Sequence, residues 1–247
     1  MAQYIWIGIL NISFCFTHIF AQKPPTSCYA NIDDNKKSFL FKEETSIQEY
    51  NSVIGFLKQE YGEDSEQYKF MIPDTAKFKT WYGFPFFYMA TDYSYKEIEI
   101  IKKQHQTLPM VAISYEQAMA YCQWVEIMIN IRDSMINKCS KSYTWQCSLP
   151  EKADYEVVLK KAKITQQESL STLQAKCMSC HKIKKGTICE IRCRGNYIFG
   201  LTDNVAEYTQ DSMVVEGGEN TVLKFVEAKD SETPIGFRCK VMLVSKE

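Results

Sequence analysis

The sequence predicts an α+β domain that is rich in long loops. Two segments carry helix-capping residues next to apolar residues at helical spacing, and short apolar runs are typical of strands. Between Gln174 and Asn220 the chain shows little periodicity but many Cys, Gly and Lys residues, which indicates long ordered loops. A chain of 247 residues, 45% of them hydrophobic, can bury one sizeable core, and no internal repeat or linker divides it.

The first residues are typical of a secretory signal. Residues 4–20 are largely apolar, and Ile19-Phe20-Ala21 offers a cleavage site before Gln22. The run is short and polar for a membrane span, although the lack of Lys or Arg ahead of it leaves a membrane anchor as the alternative. We therefore expect a signal peptide over residues 1–21, an extended lead-in over 22–38 and one domain over 39–247. The mature chain is expected to be secreted or periplasmic, without a membrane span.

The first helix is predicted from a stripe of apolar residues in the segment 43–62. Ile47, Tyr50, Val53, Ile54 and Leu57 recur at the spacing of one helical face. The aromatic-dense segment that follows, residues 74–95, is expected to be irregular, with its rings in the core rather than on a ligand platform.

The second helix is predicted to open at Ser114. Val111 and Ile113 suggest a short buried strand just before it, and Ser114 with Gln117 three residues later is a capping-box signature. Apolar residues then recur at helical spacing as far as Ile129.

A third helix and a final strand complete the predicted elements. Ser148 with Glu151 repeats the capping-box pattern, and Pro150 suits the first helical turn. The run GFRCKVMLV near the end of the sequence is typical of a strand.

Five motifs occur in one order at domain-scale spacing, and they are ISYEQAMAYCQW, SLPEKADYE, DNVAEY, VEGG and GFRC. With the early segment EETSIQEY, they resemble the motifs of the formylglycine-generating enzyme (sulfatase-modifying factor) family over residues 41–244. The resemblance implies a loop-rich variant of the C-type lectin fold. It also implies a disulfide between Cys122 and Cys239, which would join the first core helix to the final strand.

The same resemblance bears on catalysis. Active members of the family oxidise a substrate cysteine to formylglycine with copper held by two cysteines shortly after a GGS segment, because soft sulfur ligands select Cu(I). Here Gly217-Gly218 is followed by Glu219-Asn220, and no cysteine follows until Cys239. We therefore expect no catalytic residues and no copper site of the family's kind.

The calcium site that the resemblance implies is expected to be incomplete. Matching back from DNVAEY keeps Asn204 and Glu207 as candidate calcium ligands but places Gly200 where the family has an acid or Asn. A site that needs about six to eight oxygens then lacks one side-chain ligand. Asn204 and Glu207 are as readily explained as residues that fix a loop by hydrogen bonds.

Four cysteines lie close together in CMSCHKIKKGTICEIRC, and they are Cys177, Cys180, Cys189 and Cys193. One interpretation is a tetrahedral zinc site with four thiolate ligands. Another is a pair of disulfides that staple the loop. Covalent haem c on the first two cysteines, with His181 as axial ligand, would leave the other two unexplained and is disfavoured.

A local disulfide is also predicted between Cys139 and Cys147. These cysteines flank the segment SKSYTWQ, which is suited to a hairpin. Export from the cytoplasm would permit such a bond to form and persist.

The sequence thus predicts an exported, non-catalytic domain, a pseudoenzyme that acts in binding or cell-envelope assembly. The alternative is a copper-dependent thiol oxidase or another metalloenzyme. It would use Cys177, Cys180, Cys189 and Cys193, which we call the displaced cysteine cluster because they lie in a different loop from the family's catalytic pair. Residual activity therefore stays open. The expected ligand is a protein or glycan of the cell envelope, and zinc or calcium are the cofactors left open. A net charge of −1 offers no electrostatic footprint for nucleic acid.

Overall fold

Helices and strands alternate along the part of the chain that the computed structural model describes, and they form a mixed α+β fold. The described residues are 29–33, 37–41, 43–87, 108–136, 143–161, 178–183, 186–191, 205–217, 223–231 and 233–245. The expected signal peptide and the residues Cys139, Cys177, Cys193 and Asn204 lie outside these ranges. No helix within them combines the length and the apolar composition needed to cross a bilayer.

The described helices, in chain order, are α1 Ile47–Tyr61, α2 Glu66–Met71, α3 Thr75–Tyr82, α4 Tyr115–Ile136 and α5 Lys152–Lys161. The apolar stripe predicted for the first helix is the buried face of α1. Ile47, Tyr50, Val53 and Ile54 are buried, and Leu57 packs partly buried against the same core. The prediction of this helix is confirmed.

The predicted capping box opens α4. The Ser114 backbone N–H donates to Gln117 Oε1 at 2.7 Å, and the Gln117 N–H donates to Ser114 Oγ at 3.2 Å. Two backbone donors that the helix itself cannot satisfy are therefore paired, which confirms the predicted start of this helix.

The described strands are β1 Tyr29–Asp33, β2 Ser38–Phe41, β3 Tyr143–Ser148, β4 Met178–Ile183, β5 Gly186–Ile191, β6 Ala206–Tyr208, β7 Met213–Gly217, β8 Leu223–Glu227, β9 Ile235–Gly236 and β10 Lys240–Ser245. One sheet is antiparallel with the order β1-β2-β10-β3. A second has the order β8-β7-β6-β9, in which β6 and β9 are parallel. β4 and β5 form a separate hairpin. β1 lies within the range expected as an extended lead-in, and its pairing with β2 places it in the first sheet.

The main core joins α1, α4 and both four-stranded sheets. Three buried rings lie at its centre: Tyr50 stacks on Tyr121 with centroids 5.7 Å apart, and Phe237 meets Tyr121 edge-on at 5.1 Å. Because Phe237 lies between β9 and β10, these rings hold the early turns of α4 against the segment that connects the two sheets.

Side chains of α4 also cover the outer edge of β3. Asn130 accepts the Trp145 N–H at 2.9 Å and donates to the Trp145 carbonyl at 2.7 Å. Glu126 accepts the Cys147 N–H at 2.9 Å. The bonds satisfy backbone groups that an edge strand would otherwise offer to another chain, and they fix Cys147 beside α4.

Two predicted boundaries are wrong. Val111 and Ile113 are buried but form no strand, because Ala112 between them has a φ of +61° and interrupts an extended backbone. α5 begins at Lys152 rather than next to Ser148, since Ser148 is the last residue of β3. The side chain that caps the start of α5 is that of Asp154, whose Oδ2 accepts the backbone N–H of Glu151 at 2.8 Å.

Two segments expected to be irregular contain regular structure. Residues 75–82 form α3 because Asp74 caps its start by accepting the Lys77 N–H at 3.0 Å, and Gly83 ends it in the left-handed conformation. The rings of Phe78, Tyr82 and Phe86 lie in the core, as predicted, whereas Trp81 is only partly buried and Phe87 is exposed. The stretch from residue 174 to 220 includes β4 to β7 rather than loops alone.

Replacement of Ser46 by Ala is expected to lower the free energy of unfolding by about 1 kcal/mol. Ser46 and Glu49 form a complete capping box at the start of α1: Ser46 Oγ accepts the Glu49 N–H at 3.2 Å, and Glu49 Oε2 accepts the Ser46 N–H at 2.8 Å. The loss is measured by urea unfolding. Ser52→Ala is the matched control: Ser52 is half-buried within the helix and its hydroxyl donates to the Gln48 carbonyl, so the substitution is expected to change stability by less than about 0.5 kcal/mol.

Candidate functional site

A buried ion pair gathers residues from three of the motifs noted in the sequence. Arg238 Nε donates to Glu207 Oε2 at 2.6 Å, and Arg238 Nη2 donates to Glu207 Oε1. Tyr155 donates its hydroxyl to Glu207 Oε2 at 2.9 Å, and Glu44 Oε1 lies 3.9 Å from Arg238 Nη2. Arg238 also donates to the Phe41 carbonyl at 3.2 Å, so this group links both sheets and the start of α5.

Electrostatics keep Arg238 charged inside the protein. Burial alone would lower the pKa of Arg238, but the carboxylates of Glu207 and Glu44 outweigh it and raise the pKa above its ordinary value. Burial, assisted by the nearby Glu207 carboxylate, raises the pKa of Tyr155, so this hydroxyl remains a donor. The bidentate geometry is that of a strong structural ion pair.

The candidate calcium ligand Glu207 is the carboxylate partner of Arg238 in this buried ion pair. Both of its carboxylate oxygens already accept hydrogen bonds from Arg238. These bonds are of the kind that fixes local structure, one of the two roles considered for Glu207 from the sequence, and calcium binding by Glu207 stays a prediction. The other candidate calcium ligand, Asn204, lies outside the described residues.

Three cysteines from distant parts of the chain converge in the core. Cys122 lies on α4, Cys147 on β3, and Cys239 directly before β10. Their sulfur atoms all lie within 4.8 Å of one another, and Cys122 Sγ and Cys239 Sγ are 3.6 Å apart. We call these three residues the sulfur cluster; all are buried, and all are thiols in the structure.

The sulfur cluster arises from ordinary packing rules. Successive side chains of β3 point to opposite faces of the sheet, so Trp145 and Cys147 are buried while Gln146 is exposed. The register of β10 sets Val241 opposite Cys147, which brings the residue just before β10 close to it. Cys122 is one helical position from Tyr121 and shares its buried face.

The three thiols differ in acidity. Burial raises the pKa of Cys122 and of Cys147 well above the ordinary value. Burial also acts to raise the pKa of Cys239, but hydrogen bonds from Cys122, Cys147 and the Thr45 side chain outweigh it and lower that pKa to about 5. Cys239 is therefore the most acidic of the three thiols.

The disulfides predicted from the sequence map onto this cluster in part. The resemblance implies a bond between Cys122 and Cys239, and the structure holds them side by side as thiols. Cys147, which was predicted to pair with Cys139, lies against these two instead, although Cys139 is outside the described residues. The prediction of a Cys139–Cys147 disulfide therefore stays a prediction.

Of the loop that holds the displaced cysteine cluster, the structure describes only the hairpin of β4 and β5. Cys180 on β4 and Cys189 on β5 occupy directly opposed positions in the antiparallel register. Cys177 and Cys193 lie outside the described residues. The choice among zinc, disulfides and haem for this loop stays open.

An open groove of about 730 Å³ lies at the surface beside the start of α4. Phe70 and Trp81 supply aromatic surface, Asp74 and Lys77 supply opposite charges, and Thr233 supplies a hydroxyl. No cysteine is among the described residues that line it. Gln117 stabilises one wall, because its Nε2 donates to the Phe70 and Ile72 carbonyls at 2.7 Å each.

Sequence reasoning missed Cys147 and Glu44 as members of these sites. The alternation of buried and exposed residues in YTWQCS could have placed the Cys147 side chain in the core. Its meeting with Cys122 and Cys239 depends on the register of β3 with β10 and on the docking of α4, which no local pattern reveals.

Comparison with known proteins yields no match: no family model, no curated protein and no solved structure is significantly similar to this chain.

Proposed function

We propose that this chain is a divergent, non-catalytic domain of the formylglycine-generating-enzyme type that acts by binding in the cell envelope. The proposal includes the loop-rich variant of the C-type lectin fold, for which the mixed α+β architecture is a compatible but coarser observation. It also includes export through the signal peptide expected over residues 1–21.

One observation supports structural roles for the resembling motifs: their cysteine, arginine and glutamate side chains are buried inside the fold. The exposed fractions are 0% for Cys122, 1% for Glu207, 0% for Arg238 and 1% for Cys239. A polypeptide substrate cannot reach any of them in this structure. The ionisable groups bond to one another, so we assign them to stability rather than to chemistry.

The sequence supports the same conclusion from another direction. The segment between Gly218 and Cys239 contains no cysteine, whereas the resemblance implies two copper ligands there in active members. Cys239 belongs to the buried sulfur cluster and cannot substitute for an open ligand. Loss of the pair removes the soft sulfur donors that the family's copper chemistry requires.

We assign binding to the open groove, and we expect a polypeptide segment of a cell-envelope protein as its ligand. The groove combines exposed aromatic surface at Phe70 with the ion pair of Asp74 and Lys77, whose Oδ2 and Nζ atoms lie 3.6 Å apart. A peptide offers both apolar and charged side chains, and could therefore satisfy both kinds of surface. A glycan is the other ligand class, and the experiment separates the two.

A photo-crosslinking amino acid at position 70 is expected to capture a protein partner in cell envelopes, and the same group at position 61 is not. Phe70 lines the groove and is 47% exposed, whereas Tyr61 is 54% exposed and lies outside the groove lining. The crosslinked products are identified by mass spectrometry. Adding Lys77→Glu to the position-70 variant is expected to reduce the yield, while Lys79→Glu on the same helix leaves it unchanged.

Equal capture from positions 61 and 70 would contradict the assignment of the groove. Binding to a glycan array that is lost in Phe70→Ala, without any protein crosslink, would show a glycan ligand instead. Either result leaves the burial of the motif residues unaffected, so the non-catalytic assignment is tested separately by activity.

The alternative function is a copper-dependent thiol oxidase, or another metalloenzyme, that uses the displaced cysteines. The specific observation in its favour is the opposed placement of Cys180 and Cys189 in the hairpin register. Incubation of the purified chain with Cu(I), oxygen and a cysteine-containing peptide tests it. Turnover that disappears in Cys180→Ser would establish this function and refute the non-catalytic assignment.

A further inference from the structure

The sulfur cluster has a geometry that a pair of cysteines does not have. A disulfide uses two sulfurs, and the third would remain as a buried thiol beside it. Three buried thiols can also pack as small apolar groups. A third explanation is that the three sulfurs, from α4, β3 and the approach to β10, are ligands of one ion, since all lie within 4.8 Å of one another.

These separations suit ligands that share one ion. Sulfurs bonded to a central ion at about 2.3 Å lie roughly 4 Å apart. The distance between Cys122 Sγ and Cys239 Sγ is 3.6 Å, and Cys147 Sγ lies within 4.8 Å of both. The three sulfurs therefore already lie close to the spacing of ligands that share one ion.

We propose that Cys122, Cys147 and Cys239 together bind a single Cu(I) ion inside the core. Thiolates select soft ions, and the number of ligands decides between Cu(I) and zinc. Structural zinc takes four protein ligands in a tetrahedron. Within the described residues, no histidine, fourth cysteine or carboxylate joins the cluster, so the site offers the three sulfur donors that suit Cu(I).

The surroundings of the cluster favour a fixed, dry site. The Cys147 backbone is anchored by Glu126 at 2.9 Å, and the Thr45 side chain bonds to the Cys239 sulfur. The rings of Tyr121 and Phe237 belong to the same core cluster and exclude water. An ion here would tie three elements together, so the site is structural and independent of ligand binding at the groove.

Binding of the ion changes no oxidation state. Cu(I) replaces thiol protons, which pass to solvent, and the three sulfurs remain fully reduced. A disulfide between Cys122 and Cys239 is the competing oxidised state, because it removes two of the three donors. The experiment therefore uses the anaerobically reduced chain, in which all three sulfurs are available.

The test is a titration of the reduced chain with Cu(I) in competition with a chromogenic Cu(I) chelator. The wild-type chain is expected to hold one Cu(I) more than Cys147→Ser. Affinity at this site should fall about 100-fold or more in the variant, since losing a ligand costs more than losing an outer-shell partner. Cys180→Ser is the matched control and is expected to keep the core ion.

A second readout guards against a variant that folds poorly. X-ray absorption at the copper edge should report three sulfur neighbours in the wild-type chain and in Cys180→Ser. Addition of Cu(I) should raise the melting temperature of both, because an ion that binds only the folded state stabilises it. Cys147→Ala should show neither effect while retaining a cooperative melt.

Three outcomes would overturn the proposal. If the copper content falls in Cys180→Ser but not in Cys147→Ser, the ion binds at the displaced cysteine cluster and not in the core. Two sulfur neighbours in the absorption spectrum would exclude a three-sulfur site. Retention of Zn²⁺ in preference to Cu(I) by the same sulfurs would refute the assignment of the ion.

Discussion

Replacement of Arg238 by Met is expected to lower the free energy of unfolding by about 3–5 kcal/mol. Arg238 is fully buried, and its guanidinium bonds to both carboxylate oxygens of Glu207. Met has similar length but no charge, so Glu207 and Glu44 would be left in the core without their cation. Removing one partner of a buried pair is costly because the remaining charge is desolvated and uncompensated. Guanidinium unfolding measures the loss.

Two controls separate the ion pair from simple loss of packing. The double variant Glu207→Gln/Arg238→Met removes both charges and is expected to recover part of the loss. Lys229→Met breaks a pair with Glu227 in which both side chains are exposed, and it should change stability by less than about 0.5 kcal/mol. A double variant that is less stable than Arg238→Met would contradict the electrostatic explanation.

The elements predicted well are those with strong local signals. α1 and the start of α4 follow from apolar spacing and from the pair Ser114 and Gln117, because these interactions act within a few residues of chain. The strand at Lys240–Ser245 is confirmed for the same reason. Each of these elements needs little help from distant residues to be recognised.

The elements predicted wrongly depend on competition or on tertiary contacts. Ser148 has the spacing of a helix cap, but pairing with β10 takes that residue into β3, and Asp154 caps the helix instead. Val111 and Ile113 alternate like strand residues, but a left-handed Ala112 bends the chain between them. A capping pattern in the sequence does not reveal that strand pairing will place the same residue in a sheet.

The candidate sites show the same limit. Cys122 and Cys239 could be related to each other only through the family resemblance, and Cys147 was attributed to a local partner. The structure unites the three because α4 docks against the edge of β3 through Asn130 and Glu126. Convergence of residues more than a hundred positions apart is a property of sheet register and helix docking, not of spacing along the chain.

The GFRC motif gains a physical explanation at each of its four positions. Gly236 allows close approach, since a Cβ there would lie 2.9 Å from the Met110 carbonyl oxygen. Phe237 fills the aromatic centre, Arg238 neutralises the buried carboxylates, and Cys239 joins the sulfur cluster. All four roles maintain the fold.

Replacement of Phe237 by Ala is expected to lower the free energy of unfolding by about 3–5 kcal/mol. The ring is fully buried and makes edge contacts with Tyr121 at 5.1 Å and with Tyr50 at 6.4 Å. Its removal leaves a cavity that cannot collapse easily, because Gly236 is already tight against Met110 and Arg238 is held by its ion pair. Thermal and chemical unfolding measure the effect.

The size of this loss of stability shows whether the aromatic centre of the core stays rigid or closes around the cavity. Phe237→Leu keeps most of the buried apolar volume and is expected to lose about 1–2 kcal/mol, whereas Phe70→Ala removes an exposed ring and should lose less than about 1 kcal/mol. A Phe237→Ala loss no larger than that of Phe70→Ala would show that the core closes around the cavity. In that case the docking of α4 against the segment between β9 and β10, which contains Cys239, could not rest on these three rings.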